Sequence, residues 1–149
     1  MLLVLTHELS PRMEFCELTH IPRTAIDWEL AAKQHDAYCA MLRQCGADVR
    51  VLSVNRDLPD CVFIEDTAII LDEAAVLASM GAASRRAEPA GIESELQKHR
   101  EVHRVDWPAT LEGGDVLRLG RTLLTGVSSR TNRAGVNALE GIVRRYGYR

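Results

Sequence analysis

An order of elements that occurs twice constrains this chain more than any single motif. Helix, strand, loop, carboxylate and hairpin run once from Asp27 to Met80 and again from Pro89 to Thr125. Setting Glu65 on Glu112 superposes V-F-I-E-D-T-A-I-I-L on A-T-L-E-G-G-D-V-L-R. Arg85, in S-R-R, follows the first glutamate by twenty residues, and Arg130, in S-S-R, follows the second by eighteen. Each repeat thus delivers a glutamate where a strand begins and an arginine after a hairpin. A period of about fifty residues belongs to arrays of supersecondary units, which bury their apolar faces against neighbours.

Hydrophobic period and turn chemistry place the elements. M-L-L-V-L (1–5) reads as a first strand. The polar stretch Glu8 to Arg23, with Pro11 and Pro22, is long for a plain connection and fits a functional loop or lid. A helix is expected from Asp27, its N-cap, to Cys45, with Gly46 as its stop. Its apolar positions Leu30, Ala37, Tyr38, Met41, Leu42 and Cys45 recur at helical spacing. Asp48 to Leu52 follows as a strand, and Cys61 to Ile64 begins another. Thr67–Leu71 and Ala74–Met80 form a hairpin around Asp72-Glu73. A second helix is expected near Ile92 to Arg100, with Ile92 and Leu96 facing the core, then a strand from Val102 to Val105. Asp115–Leu119 and Thr122–Thr125 make the second hairpin. A third helix runs from Arg133 to Tyr146, with Val136, Leu139, Ile142, Val143 and Tyr146 on one face.

The 149 residues and 46% apolar content suit a single domain over 1–149. Eighteen basic and 21 acidic residues are interspersed, for a net charge of −3, so nucleic acid is an unsuitable partner. The apolar opening is too short for a signal peptide or a membrane span, and no basic n-region precedes it. A cytoplasmic protein with no membrane contact is expected. Cys16, Cys39, Cys45 and Cys61 show no metal-ligand spacing and read as reduced thiols. His99 and His103 lie four apart, but a strand begins between them, so no metal pair is assigned there. The third repeat stops after its helix. On that reading Val136, Leu139 and Val143 lack a cover, and self-association as a twofold homodimer is expected.

Asp60, Glu65 and Asp66 come from one repeat, and Glu112 and Asp115 from the next. Carboxylates that converge repel one another unless a cation sits among them. A planar guanidinium, with paired N–H donors in a fixed fork, answers that need. Arg85 and Arg130 are placed to hold an anionic end of the same ligand, which spells a guanidino amino acid. Phe63 either lies over the guanidinium plane by cation–π contact or belongs to the core. Glu65 and Glu112 either face the ligand or pair with Arg85 and Arg130 as structural bridges. Asp115 either acts in the site or shapes the turn after Gly113-Gly114. A nucleotide site at those glycines lacks both G-x-G-x-x-G and a Walker lysine.

Four motifs in register resemble the dimethylarginine dimethylaminohydrolases, within the guanidine-modifying pentein superfamily. They are L-P-D-C-V-F-I-E-D (58–66), S-R-R (84–86), L-E-G-G-D-V (111–116) and S-S-R-T-N (128–132), and Q-H-D-A-Y (34–38) fits as well. The resemblance implies a pentein-type α/β propeller of pseudo-fivefold ββαβ modules, of which this chain holds about two and a half. It implies hydrolysis of methylated arginine to citrulline and methylamine or dimethylamine, without metal or organic cofactor. Asp66, with Glu65 beside it, resembles the carboxylate that grips the guanidinium. Phe63 resembles the aromatic wall, and Asp60 a polar contact to the substrate. Arg85 and Arg130 resemble the clamp on the substrate α-carboxylate, and Glu112 the residue that orients the catalytic histidine. Leu18, in E-L-T-H, falls where the family has a mobile lid.

The departure from the family lies in the reacting groups. The resemblance places the histidine after the third helix and the nucleophilic cysteine near the C-terminus of the family's chains, and no residue here matches either position. The 149 residues alone are therefore expected to be inactive, needing a complementing C-terminal chain. Two alternatives share the motifs: a non-catalytic pentein paralogue that binds a ligand or partner, and an arginine deiminase or amidinotransferase relative.

Overall fold

In the computed structural model, which describes residues 2–149, strands and helices alternate along the chain. Met1, part of the expected first strand, lies outside the described residues. The chain divides into two compact units, residues 1–64 and 65–149.

In the first unit β1 (Leu3–His7) and β2 (Asp48–Leu52) pair in parallel, connected by α1 (Trp28–Gln44). β1 runs two residues further into polar sequence than expected, and His7 is the reason. Its buried ring is fully satisfied: the Asn55 N–H donates to Nε2 at 3.1 Å, and Nδ1 lies 2.9 Å from the Glu8 carbonyl. α1 has the expected bounds. The Asp27 carboxylate caps the Leu30 N–H at 2.9 Å, and the chain leaves past Cys45 through Gly46 at φ +86°.

The buried face of α1 differs from the expected one. Cys39 is buried, Ala31, Ala32, His35 and Leu42 are half-buried, and Met41 is 64% exposed together with Leu30 and Tyr38. The helix carries two apolar stripes, and the one with short side chains meets the strands, with Cys39 Sγ 3.8 Å from Thr6 Oγ1 on β1. Counting large apolar residues selected the wrong stripe. The expected strand at 61–64 is also absent. Turn bonds from Cys61 N–H to Leu58 (3.2 Å) and from Phe63 N–H to Asp60 (2.9 Å) lead into a 3₁₀ turn, Ile64–Thr67.

The second unit holds both hairpins. β3 (Ala68–Ile70) and β4 (Ala74–Leu77) are antiparallel around Asp72-Glu73, and β5 (Glu101–Arg104) joins β4 in parallel. β4 is buried along its whole length, as a central strand covered on both faces must be. β6 (Val116–Leu119) and β7 (Thr122–Thr125) form the second hairpin. α2 spans Glu88–Leu96, starting four residues before the expected helix, because Pro89 is tolerated in a first turn where its missing N–H has no helical partner. Ile92 and Leu96 are buried as expected. α3 spans Arg133–Val143 and continues as a 3₁₀ turn, Arg144–Tyr146.

Beyond α3 the backbone of Arg149 pairs beside β7, bonding Arg121 (3.0 Å) and Leu123 (2.7 Å). Strand, helix, parallel strand thus recurs: β1–α1–β2, β4–α2–β5, and β7–α3 with Arg149. The core of this unit is Ile69, Leu71, Val76, Val105, Leu111, Leu139, Val143 and Tyr148. Leu139 and Val143 are only 2% exposed, and Ile142 packs against the same core. The α3 face is therefore covered within its own unit. The expectation that Leu139 and Val143 stand open is corrected, whereas Val136 is half-buried and outside that core; the ground for a homodimer through Leu139 and Val143 goes with it.

Candidate functional site

Each hairpin of the second unit is entered through a one-turn 3₁₀ helix, Ile64–Thr67 and Gly113–Asp115. Glu65, Asp66 and Asp115 lie in these turns, immediately before the strands they lead into, and Glu112 precedes the second turn in extended backbone. The two turns touch. A Cβ on Gly113 would stand 2.0 Å from the Glu65 carbonyl oxygen, so only glycine allows this approach. The next residue uses it: the Gly114 N–H donates to Asp66 Oδ1 at 3.1 Å. Gly-Gly is therefore a meeting place of two backbones, and Asp66 is anchored by it.

Arg85 sits at the centre of the cluster and is 4% exposed. Its Nη1 donates to Asp66 Oδ2 at 2.7 Å and lies 4.0 Å from Glu112 Oε2. Its other edge is taken by Glu88: Nε donates to Oε1 and Oε2 at 3.1 Å each, and Nη2 to Oε2 at 2.8 Å. Burial by itself pulls the Arg85 pKa down, but the bonds it donates to Glu88 and Asp66 more than reverse this and hold it above its ordinary value. Glu112, 5% exposed, accepts from the Gly81 N–H at 3.1 Å and lies 3.5 Å from Arg130 Nη1. Its own N–H donates to the buried Thr131 Oγ1 at 3.1 Å.

Arg130 is held by its loop. Asp115 Oδ2 accepts from Ser128 Oγ at 2.7 Å, and that hydroxyl oxygen accepts the Arg130 and Thr131 N–H groups at 2.9 and 3.1 Å. Asn132 then caps α3 through the Gly135 N–H at 2.8 Å and also accepts the Thr110 N–H at 3.1 Å. Asp115 thus holds the segment that presents Arg130, rather than the turn after Gly113-Gly114 itself.

The second unit therefore brings together Asp66, Arg85, Glu112 and Arg130 of the expected residues. Glu112 takes its bridging position between both arginines, whereas the Glu65 side chain is exposed and bonds neither of them. Glu88 was not among the expected residues. An acidic residue three positions after an arginine, at the start of a helix, was the signal that would have found it. Among the described residues, three carboxylates (Asp66, Glu88 and Glu112) lie within 4.0 Å of one or both of two guanidiniums, those of Arg85 and Arg130.

In the first unit, Asp60 is buried and accepts the Glu17 N–H on both oxygens, at 3.0 and 3.2 Å, which holds the loop at the residue preceding Leu18. The same loop is braced by Arg23, which donates to the carbonyls of Glu14 and Cys16, and by Trp28 Nε1 bonding the Ser10 carbonyl at 3.1 Å. Leu18 itself is exposed. Phe63 is 37% exposed and lies outside the buried core.

The alternation of hairpins, helices and parallel strands is the α/β architecture of the pentein superfamily. The N-terminal domain of a cyanobacterial arginine dihydrolase superposes with a TM-score of 0.78, over 97% of this chain and 55% of that one, at 20% identity. A dimethylarginine dimethylaminohydrolase from Pseudomonas aeruginosa, a mutant complexed with citrulline, superposes with a TM-score of 0.93 at 30% identity, covering 99% of this chain and 58% of that one. The family model described as N,N dimethylarginine dimethylhydrolase, eukaryotic, matches residues 10–149. The chain belongs to the dimethylarginine dimethylaminohydrolase family. The N(G),N(G)-dimethylarginine dimethylaminohydrolase of Streptomyces coelicolor is 39% identical over 143 residues, which is 94% of this chain and 55% of that protein. The chain spans about half the length of the curated relatives it matches.

Proposed function

We propose that this chain binds a small guanidino amino acid, such as methylated arginine, as the substrate-holding part of a dimethylarginine dimethylaminohydrolase-like hydrolase. The observation that carries this reading is the charge of the cluster. Among the described residues, three carboxylates against two guanidiniums leave a negative charge, and Asp66 is the least enclosed of the three, with 20% of its side chain exposed. A planar cation offers such a carboxylate two parallel hydrogen bonds. The citrulline held by the Pseudomonas relative is the neutral ureido counterpart of such a ligand.

On this reading Asp66 meets the guanidinium, with Glu65 exposed beside it. Arg130 takes the α-carboxylate, with Arg85 behind it. Glu112 is the acceptor that orients a catalytic histidine. Asp60, Phe63 and Leu18 keep the roles of polar contact, aromatic wall and lid that the family resemblance assigns them.

The second unit, which carries the carboxylates, contains no cysteine. Its two histidines are engaged away from the cluster, His99 at Glu95 (3.2 Å) and His103 at Tyr146 (2.6 Å). Neither a thiolate nucleophile nor a histidine acid–base stands at Glu112 within that unit. On this reading the 149-residue chain alone binds but does not turn over, and a complementing chain supplies both groups. The test is citrulline release from monomethylarginine and dimethylarginine by the purified chain. No release above background is expected. Turnover at ordinary enzyme rates of about 1–10³ s⁻¹ would overturn the assignment of the reacting groups.

A further inference from the structure

We infer that Glu88 is a positioning residue that makes this site prefer a cationic guanidino ligand over a neutral ureido one; the inference rests on the function proposed above. Glu88 is the first residue of α2 and is 1% exposed. A carboxylate is favoured there by the helix dipole, yet burying it demands a partner. Both its oxygens are on one edge of Arg85, which occupies Nε and Nη2 and leaves Nη1 to reach Asp66 at 2.7 Å. A guanidinium is planar, so fixing one edge fixes the direction of the other. Glu88 thus decides where Arg85 points, and Arg85 together with the Gly114 N–H holds Asp66.

The consequence for charge is as important. Without Glu88, Arg85 and Asp66 form a neutral pair, and an incoming guanidinium competes with Arg85 for the same carboxylate. With Glu88 in place the charge of Arg85 is already matched from behind, and the negative charge of Asp66 stays available to a second cation. A neutral ureido group draws little on that charge. Removing the Glu88 charge therefore weakens the cationic ligand selectively. A purely structural role predicts no such selectivity.

The experiment compares Glu88→Gln, which keeps the shape and removes the charge, with Glu88→Asp, which keeps the charge and shortens the side chain. Dissociation constants for monomethylarginine and citrulline are measured by calorimetry on the full 149-residue chain, well below each variant's melting temperature. The 15Nε–1Hε resonance of Arg85 is followed in parallel. Glu88→Gln is expected to weaken monomethylarginine roughly tenfold while moving citrulline by less than about threefold. Glu88→Asp is expected to keep the ratio of the two affinities near that of the wild type, whatever it costs in stability. The Arg85 resonance, protected from exchange in the wild type, should exchange faster in Glu88→Gln.

Equal weakening of both ligands, or a ratio shifted as far by Glu88→Asp as by Glu88→Gln, would overturn the inference. If the wild-type chain binds neither ligand, it is the proposed function that fails. The Arg85 resonance then decides for Glu88, and an unchanged signal in Glu88→Gln would sink its positioning role.

Discussion

Arg85 and Arg130 occupy corresponding places after two corresponding hairpins, yet their environments differ. The Arg85 side chain is 5% exposed and bonded to Glu88 and Asp66, whereas that of Arg130 is 21% exposed and lies 3.5 Å from Glu112. The difference traces to one position. Three residues beyond Arg85 stands Glu88, at the start of α2; three residues beyond Arg130 stands Arg133, at the start of α3. A guanidinium can be buried only when counter-charges go with it, so the first arginine becomes an internal fixture and the second stays near the surface. One repeat encloses its arginine among carboxylates, and the other leaves its arginine partly exposed.

The largest expected effect breaks this comparison at its centre. Arg85→Met strips a buried cation from Glu88 and Asp66, and losing one partner of a buried ion pair costs about 3–5 kcal/mol. Arg130→Met removes a partly solvated partner and should cost less than about 1 kcal/mol. Urea denaturation of both variants measures the two costs. Similar midpoints would mean that burial does not distinguish the arginines.

A smaller effect separates the carboxylates of the two turns. Asp66 holds Arg85 on one oxygen and the Gly114 N–H on the other, while Asp115 bonds Ser128 in the loop before Arg130. Asp66→Asn should weaken monomethylarginine binding more than tenfold, as the loss of about 2 kcal/mol or more from a charged hydrogen bond implies. Asp115→Asn should change it only a few-fold. Equal, small changes in a calorimetric titration would make both carboxylates structural.

The smallest effect lies at the exposed tip of the first hairpin. A hydrogen bond from Arg118 holds the Asp72 pKa below its ordinary value of 3.8. For Glu73 desolvation works the other way, but the bond from Arg121 prevails and its pKa falls below 4.5. Folded values lower than unfolded ones contribute stability above those ordinary values and lose it as pH falls through the lowered ones. Asp72→Asn should therefore slightly reduce the fall in melting temperature on acidification below about pH 4, and salt should reduce it further. An unchanged acid limb in thermal melts would show these pairs to be energetically silent. In either case the effect stays small beside that of the enclosed Arg85 cluster.

Much of the fold was legible in the chain. Both hairpins appear at their expected turns, β2 has its expected bounds, and α1 is capped by Asp27 and stops before Gly46, because turn and cap chemistry are local. What failed was the choice between two apolar stripes on α1, the strand expected at 61–64, and the cover of α3. The buried stripe depends on how closely the helix can approach β1 and β2. The cover of Leu139 and Val143 comes from Ile69, Leu71 and Val76, more than sixty residues earlier. That Asp66, Arg85, Glu112 and Arg130 lie together was legible from the repeat, but their pairing was not.

By itself the sequence determined the order of elements, the two carboxylate turns, the arginine after each hairpin and the family these motifs mark. Those properties rest on neighbours within a few residues, where φ/ψ preference, capping and side-chain period act. Only the tertiary structure decided that Gly113 meets the carbonyl of Glu65, that Glu88 stands behind Arg85, and that Asp66 is braced from two directions. Contacts between residues as far apart as 66 and 114 are set by which backbones fit together, and charges are buried only where that fit supplies partners. The chemistry was written along the chain, and its geometry came from packing.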